Sequence, residues 1–151
     1  MTEAPTQPVL HEIEFRLSYG DCDPAGIVYF AAYYPWFERT YNEWAFLGGF
    51  PPGRMVELWG ATHVSVASDC RYRVPGRLHD PLTCRMRLGE IGNTSLSLHF
   101  SIDHRETGET MAEGRMHFVF VTGALDGDER TRPTPVPRQL REILDAAGCT
   151  L

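Results

Sequence analysis

The sequence predicts an α+β fold in which a strongly curved antiparallel sheet wraps a long central helix. Three observations carry this expectation. A period-2 segment comes first. A long stretch of helical periodicity follows, with apolar residues around most of its circumference. Four alternating segments joined by short turns complete the order. A helix that is apolar nearly all round has to be enclosed, and a flat sheet covers only one side of it. A sheet that curls around the helix, with leftover apolar surface passed to a second copy of the chain, meets that demand.

Each element has its own signal. Residues 1–10 are polar and proline-containing and read as a loose leader, not a signal peptide, ahead of a single domain over 11–151. Over 11–18, Ile13, Phe15 and Leu17 alternate with Glu12, Glu14 and Arg16, the pattern of a half-buried strand. Gly20-Asp21-Cys22-Asp23-Pro24-Ala25-Gly26 then breaks regular structure. From 30 to 47, Phe30, Tyr33, Tyr34, Phe37, Tyr41, Trp44 and Ala45 recur at helical spacing, while Trp36, Phe46 and Leu47 fill part of the opposite face. Pro35 falls early in this helix, where a missing N–H matters least, and Gly48-Gly49 stops it. A short helix is predicted over 54–59.

Strands are predicted over 62–74, 82–91, 94–105 and 109–121, the first with Val64, Val66, Ser68, Cys70, Tyr72 and Val74 on one face. Gly92-Asn93 and Glu106-Thr107-Gly108 mark the turns between the later strands. An amphipathic helix over 138–147 ends the chain, with Leu140, Ile143 and Leu144 inward.

Composition narrows the function. The chain has 151 residues, enough for one self-sufficient core, and 42% hydrophobic with 23% charged residues is ordinary for a soluble globular protein. A net charge of −6 argues against a nucleic-acid partner, and no apolar run is long enough for a membrane span. Cys22, Cys70, Cys84 and Cys149 have neither C-x-x-C nor zinc-ligand spacing, so free thiols, a cytoplasmic location and no metal are expected. Ser65, Ser68 and Ser95 lack the Gly-x-Ser-x-Gly context of an α/β-hydrolase nucleophile.

The chemistry centres on Asp23. A carboxylate on a turn that feeds a helix N-terminus, beside backbone N–H groups without partners, suits acyl transfer: the carboxylate supplies a nucleophile or base, and the N–H groups stabilise an oxyanion. Asp-Pro alone opens many ordinary turns. Asp21 reads as structural, accepting local backbone bonds.

The run Tyr19-Gly20-Asp21-Cys22-Asp23-Pro24-Ala25-Gly26-Ile27-Val28-Tyr29-Phe30 closely resembles the signature of the 4-hydroxybenzoyl-CoA thioesterase family. Tyr33-x-x-Trp36-Phe37-Glu38-Arg39-x-x-x-Glu43-Trp44 looks like the helix that follows it in the broader acyl-CoA thioesterase group. The resemblance runs from about residue 11 to residue 121. It implies a hotdog fold and hydrolysis of a coenzyme A thioester with no metal or cofactor. It also implies dimers, often paired into tetramers, with the sites at the dimer interface. Asp23 takes the catalytic position, and the backbone N–H of Phe30 or of an immediate neighbour takes that of the carbonyl-polarising donor. Tyr29, Glu38 and His63 are candidates for the substrate pocket. Glu38 stands where the hydroxybenzoyl enzymes carry an Asp that meets the substrate hydroxyl, one methylene longer here, and an ion pair with Arg39 is an equally good use of it. A lone histidine in a strand is more often an ordinary polar residue, and that is the favoured reading of His63.

Gly92-Asn93-Thr94-Ser95 sits where relatives have a turn in contact with coenzyme A, without the basic stretch of the hydroxybenzoyl enzyme. Nucleotide phosphates are then left to Arg85, Arg87 or the Arg71/Arg73/Arg77 group. The expected acyl group is aromatic or of short to medium length, 4-hydroxybenzoyl included. Action on acyl carrier proteins and a non-catalytic acyl-CoA-binding domain are the alternatives.

Overall fold

The computed structural model describes residues 6–122 and 130–151. Their strands are β1 (Val9–Arg16), β2 (Ala61–Tyr72), β3 (Pro81–Ile91), β4 (Ser95–His104), β5 (Thr110–Thr122) and the two-residue β6 (Arg132–Pro133). They form one antiparallel sheet of order β1-β3-β4-β5-β2, with β6 paired to β5. The helices are α1 (Tyr34–Leu47), α2 (Met55–Trp59) and α3 (Arg138–Ala146). This is the curled α+β sheet on a central helix that the sequence predicts, and it is a hotdog fold.

Alternation sorts the sheet into two faces. Met86, Phe100, Gly114 and Cys70 lie in register across β3, β4, β5 and β2 and point toward α1. Phe37, completely buried, stacks on Phe100 with ring centroids 4.8 Å apart. A Cβ on Gly114 would come within 2.3 Å of the Phe37 ring, so the strand must carry glycine for the helix to sit this close. Phe15 of β1 stacks on Trp36 at 3.9 Å. Leu140 and Leu144 of α3 join the same core. The opposite face of the sheet is polar: Glu12, Arg85, Ser101, Glu113 and Arg71 form one cross-strand row, and Arg87, His99, Arg115 and Asp69 form the next.

Three expectations change. The central helix begins at Tyr34 rather than Phe30, because residues 30–33 form turns and Pro35 takes the first-turn position. It is buried on one face only: Phe46 is 70% and Leu47 68% exposed. β1 starts at Val9, two residues inside the predicted leader, and Gln7 exchanges hydrogen bonds with the backbone of Thr150; residues 1–5 lie outside the described residues.

The strand over 61–72 is also not a single alternation. A bulge between Ser65 and Ala67 swaps its parity. His63 therefore points inward before the bulge, and Cys70 and Tyr72 point inward after it, where Tyr72 stacks on Tyr33. β2 is a sheet edge, exposed from Ser65 to Ser68.

Candidate active site

The segment between β1 and α1 folds as a small hairpin held by its own backbone. Cys22 bridges Val28, the N–H of Asp23 donates to Ile27 O at 2.8 Å, and the N–H of Gly26 donates to Asp23 O at 2.9 Å. Gly26 adopts φ +77°, a conformation that favours glycine over any residue with a side chain. The hairpin hangs on the segment that follows β2. Ile27 bridges Arg77, Val28 N–H donates to Gly76 O at 2.8 Å, and Leu78 N–H donates to Gly26 O at 3.3 Å. Gly76 is enclosed: an added Cβ would lie 2.5 Å from the Tyr33 hydroxyl and 2.7 Å from Leu17. Asp21 has the structural part expected of it, its carboxylate accepting from the Ser18 N–H and hydroxyl and its carbonyl from Tyr29 N–H at 2.7 Å.

Asp23 is half-buried at the head of this hairpin. One oxygen, Oδ1, accepts the N–H of Ala25 at 2.8 Å, which fixes the side chain over Pro24. Among the described residues no donor reaches Oδ2. Asp23 lines an open, largely apolar cleft of about 390 Å³ together with Ile27, Val28, Tyr29, Phe30, Tyr72, Arg73, Val74 and Pro75. The rings of Tyr29 and Phe30 lie 4.5 Å apart on its wall, both well exposed. The N–H of Phe30 donates to no acceptor among the described residues, whereas those of Val28, Tyr29 and Ala32 are all engaged. Asp23 and Phe30 thus line one cleft, with a carboxylate oxygen and a backbone N–H that, like that of Ala31, have no partner among the described residues. The α1 N-terminus belongs to Tyr34–Trp36, past a turn, so the helix dipole, which decays within a turn, is centred there and not on Asp23.

The other two candidates lie elsewhere. Glu38 is exposed on α1 and bonded to the Asn42 amide, while Arg39 sits over the Trp36 ring at 4.9 Å, so neither the cleft nor the Glu38–Arg39 pair claims it within this chain. His63 is enclosed between Phe118 and Tyr41 and shares a 2.6 Å hydrogen bond with the Tyr41 hydroxyl, in a space of only about 10 Å³. Burial pushes the His63 imidazole down to about 4. Its inward direction follows from the bulge, which the sequence pattern does not show. The far wall of the cleft, from Tyr72 to Pro75, is absent from the sequence-level site. Its signal is the strand broken by Pro75-Gly76 three residues after the aromatic Tyr72. Among the described residues no cluster of His, Cys, Asp or Glu is arranged to hold a metal ion, and no helix is long and apolar enough to cross a membrane. The four cysteines are free, with Cys84 buried and its thiol raised to about 12 by that burial.

Comparison with known proteins finds thioesterases by sequence and by fold. The 4-hydroxybenzoyl-CoA thioesterase of Pseudomonas sp. (strain CBS-3) is 28% identical over 131 residues, which are 85% of this chain and 92% of that one. The 1,4-dihydroxy-2-naphthoyl-CoA thioesterase from Synechocystis superposes with a TM-score of 0.77 at 16% identity, covering 89% of this chain and 95% of that one. A 4-hydroxybenzoyl-CoA thioesterase mutant in complex with 4-hydroxybenzoyl-CoA superposes with a TM-score of 0.75 at 24% identity, covering 88% and 96%. A profile of the thioesterase-like superfamily matches residues 17–144, from the end of β1 to α3, and the chain belongs to that superfamily.

Proposed function

We propose that the protein is an acyl-CoA thioesterase acting on aromatic acyl groups, with Asp23 as its catalytic carboxylate. The observation that supports this is that Asp23, whose Oδ2 has no donor among the described residues, lines one cleft with Phe30, whose N–H has no acceptor among them. A thioester carbonyl placed between them would have its developing oxyanion held by Phe30 N–H, a donor typically worth about 3–4 kcal/mol in the transition state. Asp23 then acts by one of two routes. As nucleophile, its carboxylate bonds to the carbonyl carbon, coenzyme A leaves as thiolate, and water hydrolyses the resulting anhydride. As base, it takes a proton from water while that water's oxygen bonds to the carbonyl carbon, and the C–S bond then breaks with coenzyme A leaving as thiolate.

The aromatic preference rests on the cleft walls, built from Tyr29, Phe30 and Tyr72. It also rests on the relatives, which carry names of hydroxylated aromatic thioesters: 4-hydroxybenzoyl-, 1,4-dihydroxy-2-naphthoyl- and gentisyl-CoA. The working unit in this reading is a dimer that pairs through the exposed β2 edge, whose backbone groups need partners.

The test is steady-state hydrolysis of benzoyl-, 4-hydroxybenzoyl-, phenylacetyl-, short-chain and long-chain CoA esters, with an acyl carrier thioester alongside. Turnover led by the aromatic esters is expected. Turnover of the carrier thioester alone, or tight binding of all esters with no turnover, would remove this reading in favour of a carrier-specific enzyme or a binding module.

A further inference from the structure

All fourteen basic side chains of this chain are arginines, and the structure accounts for most of them. Arg54, Arg73, Arg105, Arg115 and Arg138 are paired with Glu57, Glu113, Glu14, Asp69 and Glu142. Arg85 is held twice, by Glu12 at 2.9 Å and Asp103 at 2.8 Å. Arg16 and Arg141 donate to the carbonyls of His79 and Gly92, and Arg39 covers Trp36. Among the described residues Arg71, Arg77, Arg87, Arg130 and Arg132 have no such partner, and of these Arg71 and Arg87 line one hollow on the outer, polar face of the sheet.

That hollow measures about 390 Å³ and is walled by Asp69, Arg71, Arg87, His99, Ser101, Glu113 and Arg115. Its cross-strand row Arg87, His99, Arg115 and Asp69 contains one acid, already bound to Arg115. The Nε–H of Arg87 is buried without an acceptor, a costly state for a charged donor. His99 reports the same local field: desolvation first, then Arg115 and His117, push its imidazole below the usual histidine value.

We infer that this hollow is a phosphate-binding site, with Arg71 on one wall and Arg87 on the other. A phosphoryl group suits the planar donor fork of arginine, and among the described residues neither Arg71 nor Arg87 is in an ion pair. The hollow is distinct from the Asp23 cleft yet adjacent to it. Arg73 lines the cleft and its guanidinium bonds Glu113 in the hollow, while Arg71 follows two residues, about 7 Å, back along β2. The turn over 92–95 is engaged otherwise: its carbonyls at Gly92 and Asn93 accept from Arg141 and Val136. Two sources of phosphate fit, the nucleotide end of a coenzyme A thioester, which rests on the proposed function, and free pyrophosphate.

The experiment is calorimetric titration of the full chain at low salt with inorganic pyrophosphate, coenzyme A and dephospho-coenzyme A, for the wild type, Arg71→Ala/Arg87→Ala and the control Arg54→Ala/Arg138→Ala. The site predicts that at least one probe binds and that the first double variant weakens it by about tenfold or more, the control leaving it unchanged. If the hollow takes the substrate's own nucleotide, the same variant raises KM with kcat kept; if it takes free phosphate, pyrophosphate affinity falls and KM does not move. Equal binding by wild type and Arg71→Ala/Arg87→Ala, equal loss in the control, or no binding of any probe would overturn the site. Arg71→Ala alone, at an exposed and unpaired position, keeps the test open should Arg87→Ala unfold.

Discussion

Asp23 has Oδ1 anchored by Ala25 N–H, and among the described residues no donor reaches its Oδ2. Asp23→Asn preserves an oxygen for the Ala25 bond while removing the nucleophile or base. The expected result is an unchanged melting temperature and substrate affinity with kcat lowered by about 100-fold or more; near-full turnover would take Asp23 out of the mechanism. His63 carries a different prediction. Its folded-state value of about 4 lies below the ordinary 6.5, so the unfolded chain takes up the proton first as pH falls. Stability contributed by the neutral imidazole is complete above pH 6.5 and is lost progressively down to about pH 4, amounting to roughly 3 kcal/mol. His63→Gln, which retains a partner for Tyr41, should flatten that part of the stability–pH curve in chemical denaturation; an unaltered slope between pH 6.5 and 4 would contradict the assignment.

At the scale of elements, the hairpin that carries Asp23 depends on a close approach. Gly76→Ala forces a Cβ against Tyr33 and Leu17, both fully buried, and displaces the carbonyl that Val28 uses. Overpacking of this kind costs about 1–3 kcal/mol, and a fall in both melting temperature and kcat is expected, whereas a stable and fully active variant would show the hairpin to be independent of its ledge. The elements also show what local pattern can and cannot carry. Alternation over 82–91 and 94–105 reproduces β3 and β4 almost residue for residue, because both are central strands with one face in the core. Asp23 and its cleft-side neighbours Tyr29 and Phe30 were legible because one contiguous loop brings them together. The inward turn of His63 was not, since one extra residue near Val66 inverts every side chain beyond it. Phe46 and Leu47 misled for a related reason: apolar character predicts burial only where something in the same chain is there to bury against.

For the whole molecule, those uncovered residues and the β2 edge bear on assembly. Phe46, Leu47 and Val66, the last 59% exposed, are apolar surface that a second copy would cover. Val66→Glu should shift the dimer proposed here toward monomer in sedimentation velocity and lower turnover with it; a monomeric variant with full activity would show that one protomer holds a complete site.

The ledge under Asp23, residues 76–78, follows the β2 edge after only a few residues, so whatever firms that strand also firms the loop. An enzyme wired this way would be its own cofactor: turnover per chain should drop as the protein is thinned below its dimer dissociation constant and return on concentration.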